Sequence, residues 1–164
     1  MDNTFLYRMP AGIAGAISRP QDLTVEPQTL NSAKAFATYG LAGKFSAGKF
    51  VPIEAADTAA VVVGIYVRPY PTVSQPDKVR QIGTGYNFAG DCMKRGYVIV
   101  NLGADASAVA LGGEVYMRVA TPSDTSPLGA FLATADGENT VQITNAFFNG
   151  PGDANGNIEL AFNI

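Results

Sequence analysis

The chain predicts an all-β domain, a sandwich or a barrel, and three observations carry that expectation. Eighteen glycines and ten prolines in 164 residues fall as punctuation between short runs of Val, Ile, Tyr, Phe and Thr. Eight or more such runs follow one another at close spacing, the rhythm of stacked short strands. No segment longer than about ten residues shows a helical period. A chain of 17.1 kDa also has the ordinary size of one domain, able to bury about two-thirds of its unfolded surface. The expected organisation is an extended arm over residues 1–20 and a single β domain over 21–164, with a long loop at about 69–91.

Each element follows from local sequence. Residues 1–20 hold Pro10, Gly12, Gly15 and Pro20 and lack either period, which predicts an extended arm needing a surface to lie on. Residues 22–30 alternate Leu23, Val25 and Thr29, a strand that Pro27 demotes to an edge or a bulge. Short strands are expected over 35–41, 43–45 and 48–53, with a hairpin turn at Ser46-Ala47-Gly48. Residues 59–68 are β-branched and apolar on both faces, so a central strand is expected there. It ends at Pro69, and the proline- and glycine-rich stretch to Gly90 has no core pattern of its own. Further strands are expected over 96–102, 114–120, 129–133, 140–143 and 157–164, parted by turns at Gly112-Gly113, Asp136-Gly137 and Asn155-Gly156.

Composition narrows the function. The chain has no His, no Trp and one Cys, which removes His-based relays, His-liganded zinc and any intrachain disulfide framework. Charged residues are 15% of the chain, where about 25% is usual. A surface so poor in charge fits burial against partners. Net charge is −3 and the bases are scattered apart from Lys94-Arg95, so neither nucleic acid nor membrane is an expected partner. The longest apolar run, Ala59 to Val67, falls far short of the roughly 20 residues of a spanning helix.

The chemical motifs are weak. Gly43 to Lys49 has phosphate-loop spacing, but Phe50 stands where Ser or Thr must hold Mg²⁺, so a hairpin is expected. Gly83-Thr-Gly85 has the wrong spacing for a dinucleotide loop. Asp153, Asn155, Asn157 and Glu159 do not match a calcium loop, and a tight Asn155-Gly156 turn is expected instead. No cofactor, metal or catalytic residue is assigned. Most aromatics alternate as core residues would, but Tyr70, Tyr86 and Phe88 lie on the long excursion, where a partner surface could cover them.

One resemblance follows from the order of motifs. Arg8-Met-Pro-Ala-Gly12, Ser18-Arg-Pro20 and Glu26-Pro-Gln precede Gly64–Val67 and Arg68-Pro-Tyr-Pro71. Lys94-Arg-Gly-Tyr97, Gly112-Gly-Glu-Val-Tyr-Met-Arg-Val119, Gly150-Pro, Asp153 and the closing Gly156-Asn-Ile-Glu-Leu-Ala-Phe-Asn-Ile164 come next. Over nearly its whole length the chain resembles the structural cement, or capsid decoration, proteins of tailed bacteriophages and prophages. The resemblance implies a non-enzymatic coat component that binds the outside of an assembled shell and bridges neighbouring major capsid proteins. It implies a jelly-roll sandwich first and a barrel second. Other copies of the chain, as dimer or trimer, are further expected partners, with the protein made in the bacterial cytoplasm and placed on the virion exterior. Candidate contacts are Phe5, Leu6, Tyr7, Arg8, Met9, Pro10, Ile13 and Ile17 on the arm. Arg68, Tyr70, Tyr86 and Phe88 form a second candidate surface. Two rival readings are a tail-associated or glycan-binding β module, weakened by the lack of Trp, and a carboxylate hydrolase, which needs two carboxylates about 5–9 Å apart in a cleft.

Overall fold

The computed structural model describes residues 12–69 and 89–164. Eleven strands are described: β1 Thr24–Thr29, β2 Ala42–Ser46, β3 Lys49–Pro52, β4 Gly64–Val67, β5 Ala89–Asn101, β6 Leu111–Gly113, β7 Tyr116–Arg118, β8 Phe131–Leu132, β9 Thr140–Gln142, β10 Ala146–Asn149 and β11 Asn157–Phe162. Eight form one sheet in the order β3-β2-β4-β5-β11-β10-β6, with β1 also paired to β5, and β8-β7-β9 form a second. Both sheets are antiparallel. The path ends at β3 and β6 without closing, so the described residues make a sandwich rather than a barrel.

β5 organises the large sheet. Its first half pairs with β1 and β4, and its second half, Gly96 to Asn101, pairs with β11. Gly96 sits between them at φ 140°, where a Cβ would stand 2.9 Å from Leu23 and 3.0 Å from the Asp22 carbonyl. Only glycine lets the chain after the arm pass so close. β1 is the edge strand that Pro27 predicts, with a shift of register at Thr24/Val25.

Strand alternation builds two cores. Ile65, Val67, Met93, Val98, Val100 and Leu102 face a large cluster shared with Met117 and Phe131 of the small sheet and with Ile158, Leu160 and Phe162. Tyr66 and Cys92 point the other way, into a cluster with Phe36, Tyr39, Leu41 and Phe50. There Tyr66 stacks on Phe36 and Tyr39, with ring centroids 4.4 and 4.8 Å away. β4 is therefore apolar throughout because both its faces are covered. Burial pushes the Cys92 thiol up to about 11, as expected of an inert core cysteine.

Several sequence expectations need correction. Residues 35–41 form no strand: Phe36 and Tyr39 are three apart and enter one core, and Gly40 turns the chain at φ 83°. Within 59–68 the strand begins only at Gly64, after a 3₁₀ turn at Ala59–Val61. A Cβ on Gly64 would lie 2.6 Å from the Met93 carbonyl, so glycine marks where the chain first joins β5. The Gly112-Gly113 pair lies within β6 rather than between strands. The hairpin at Ser46–Lys49 forms as expected, with Ala47 and Gly48 both at positive φ, 50° and 73°, the geometry that matches strand twist. In the phosphate-loop lookalike, Gly43 is packed under the Phe50 ring.

Candidate functional site

The arm root, residues 12–20, is stitched to β5 along the chain. The Gly15 amide donates to the Ile99 carbonyl at 2.7 Å, the Ile99 amide to the Ala16 carbonyl at 2.8 Å, and the Ser18 amide to the Tyr97 carbonyl at 3.2 Å. Ile17 bridges Val98 and packs, half-buried, on the large core. These bonds satisfy main-chain groups that an edge of β5 would otherwise leave open.

Two arginines fasten the root from opposite ends. The Arg68 amide donates to the Gly15 carbonyl and its Nε to the Ala14 carbonyl, each at 2.8 Å. Its guanidinium lies 4.6 Å from the Tyr39 ring centroid, a cation–π stack. Gly15 takes φ 82°, and a Cβ there would be 2.3 Å from the Tyr39 Cβ, so this crossing requires glycine. At the other end Arg19 binds Glu159 with two nitrogens, Nε at 3.2 Å and Nη2 at 2.8 Å, and covers the Tyr97 ring at 4.4 Å. Glu159 also accepts from Asn149. Burial pushes the Glu159 carboxyl upward, but hydrogen bonds from Ser18, Asn149 and Arg19, with the Arg19 charge, outweigh it and hold the group below the usual carboxylate range.

The structure thus brings Ile13 and Arg68 to one hollow, while Ile17 turns to the other side of β5 and packs on the large core. Ile13, Ala14, Tyr39, Arg68, Asn101 and Asp124 line that hollow, of about 570 Å³. The candidate contacts Phe5, Leu6, Tyr7, Arg8, Met9, Pro10, Tyr70, Tyr86 and Phe88 lie outside the described residues. The first of these segments ends at Gly12, and the second runs between Pro69, next to Arg68, and Ala89, the first residue of β5. Sequence reasoning missed Tyr39, Tyr97, Arg19 and Glu159 as the fasteners. Arg19 and Glu159 stand in the quoted motifs, but 140 positions separate them.

Several other charged groups among the described residues are committed to structure. Lys44 binds Glu54 and Asp57, each at 2.7 Å, and Lys34 also binds Glu54. Hydrogen bonds from both lysines hold Glu54 down at about 2. Asp22 pairs with Arg95 and Asp136 with Arg118. The Asp153 carboxylate accepts from the Asn155 and Asn157 amides at 3.0 and 2.8 Å, so it shapes its own turn while Glu159 faces Arg19. Among the described residues no three acidic or Cys side chains gather as a metal site.

A second surface lies at the far end of the large sheet. β6 pairs only with β10 along the described path, through Phe148 and Asn149, and Leu111 on it is 73% exposed. Beside it Leu102, Ala104, Val109, Ala110, Leu132 and Ala133 line a hollow of about 440 Å³.

Comparison with known proteins places this geometry. A family model described as XM1 gp53 minor capsid protein matches residues 1–162. A solved chain from the capsid of Myoviridae phage XM1 superposes with a TM-score of 0.68 at 16% identity, covering 99% of this chain and 97% of that one, which shows a common fold. No curated protein sequence matches. The chain belongs to the XM1 gp53 minor capsid protein family.

Proposed function

We propose that this member of a phage minor capsid protein family is a non-enzymatic cement protein, binding the outer surface of an assembled shell and bridging its neighbouring subunits. The observation that carries the reading is the shared root. Gly15, Arg68 and Tyr39 fasten the bases of two candidate contact segments to each other and to β5. Phe5 to Pro10 then reach a neighbouring subunit of the coat, and Arg68 with Tyr70, Tyr86 and Phe88 contacts the major capsid protein. A fixed base lowers the ordering cost of both contacts.

The rest of the surface supports the same reading. Charge is sparse, and most carboxylates described above are bound to arginine or lysine or close their own turns, rather than facing each other across a cleft as a hydrolase requires. Stabilisation follows from mass action. A ligand that binds only the mature lattice adds about 2.7 kcal/mol per site at a hundredfold excess over Kd. Over many sites this resists internal pressure. Copies gather as dimers or trimers on local symmetry axes.

The test is co-sedimentation with cognate emptied shells, comparing the intact chain with one beginning at Gly12. That boundary leaves the stitched root in place. The intact chain is expected to bind saturably and the shortened one at least tenfold more weakly. Failure of the intact chain to bind a competent shell overturns the proposal.

A further inference from the structure

We infer that the hollow beside β6 receives the N-terminal segment of a second copy of this chain, around Phe5, Leu6 and Tyr7, so that neighbouring copies are linked to each other as well as to the shell. This rests on the reading of residues 1–11 as a partner-binding arm and supplies the surface that receives it. Three features of the receiving site point to a strand-like apolar occupant. β6 is the last strand of the sheet, with its second edge facing no strand among the described residues. Leu111 stands exposed on it. The adjoining hollow is lined by Leu102, Val109, Ala110, Leu132 and Ala133, and Asp105 is the one charged group in its wall. An extended peptide that adds to an edge gains main-chain hydrogen bonds, and alternate side chains enter the neighbouring pocket.

Residues 1–11 have the matching chemistry. Phe5, Tyr7 and Met9 share one side of an extended chain, and the only charged side chains are Asp2 and Arg8. Eleven extended residues reach up to about 36 Å beyond Gly12. The geometry favours a neighbour as donor. Gly12 lies on Ile99, and Asn101 on that side of β5 lines the arm-root hollow. Val98, Val100 and Leu102 face the opposite side, where the β6 hollow opens. An arm filling its own hollow has to cross from the Ile99 side of β5 to the side of Leu102. An arm filling a neighbour's hollow does not.

Cysteine pairing on assembled shells tests this. Phe5→Cys, Leu6→Cys and Tyr7→Cys are each combined with Ala133→Cys in the full chain, oxidised on cognate shells, and resolved without reductant, with pelleting measured on the same samples. An interchain ladder that needs both cysteines is expected for at least one pair, falling fivefold or more when Leu111→Ser is added. Leu111 is exposed, so that substitution leaves the fold intact. Pelleting without a ladder overturns the linkage and leaves the cement reading standing. A ladder in solution from protein that does not pellet overturns the cement reading alone. Only intrachain cross-links, read from unchanged mass and a linked peptide, place the arm in its own hollow and also overturn the inference.

Discussion

The arm root and the β6 end are both small, apolar and rich in glycine, and both lie at an open side of the large sheet. At the root, main-chain bonds to β5, the Arg68 stack on Tyr39 and the Arg19–Glu159 pair cover the segment with its own domain. At β6, Leu111 is 73% exposed and Gly112 has nothing within 4 Å of where a Cβ would be. The difference separates two roles that look alike in composition. One apolar stretch fixes where the proposed contact segments begin, and the other leaves its edge uncovered by any described residue.

Two glycines of similar backbone break this comparison most sharply. Gly15 and Gly112 both have positive φ, 82° and 76°, but only the first is packed. Gly15→Val combines left-handed strain with overpacking against Tyr39 and is expected to cost about 3 kcal/mol in denaturant unfolding. Gly112→Ala carries the backbone strain alone, about 1 kcal/mol. Equal losses at the two positions contradict the contrast.

Arg68→Ala removes the donor to the Ala14 carbonyl and the cation–π stack. A loss of about 2 kcal/mol is expected, with faster hydrogen exchange at the Gly15 and Ile99 amides. Unchanged exchange there means Arg68 does not hold the root.

Glu159→Gln is smaller, about 1 kcal/mol at neutral pH, because its partner Arg19 is half exposed. The Glu159 pKa lies below its ordinary value of 4.5, so the folded state binds fewer protons than the unfolded one. Its contribution is complete above pH 4.5 and is lost as the pH falls from there through the folded value. The stability gap between wild type and variant therefore closes in acid, as urea titrations at several pH values will show. A gap that persists or widens on acidification contradicts the sign.

Leu111→Ser has the smallest effect on folding, within about 0.5 kcal/mol, together with the loss of interchain cross-linking described above.

Much of the fold is legible in the sequence, because alternation and turn residues are local signals. β1, the β2–β3 hairpin, the buried end of 59–68 and the closing strand all follow from them. Residues 35–41 mislead because Phe36 and Tyr39 look strand-like, while the core they enter is assembled from Phe50, Tyr66 and Cys92 far along the chain. The start of 59–68 misleads because a continuous apolar run does not reveal where pairing begins. The site was legible only in part. Ile13, Ile17 and Arg68 stand out as candidate contacts, but the structure brings only Ile13 and Arg68 to one hollow, because Ile17 pairs with Val98 and enters the large core, a pairing that no local pattern encodes. Leu111 gives no sequence signal, since a leucine beside two glycines reads as an ordinary strand end.

On the proposed reading, the face built by Gly15, Tyr39 and Arg68 meets the shell. An electron cryomicroscopy reconstruction of cognate shells, with and without added protein, tests it most directly. Added density is expected on the outer surface, oriented with residues 12–15 and Arg68 toward the capsid subunits and β6 toward a neighbouring copy. Density that places this face toward solvent, or no added density at saturating protein, contradicts it.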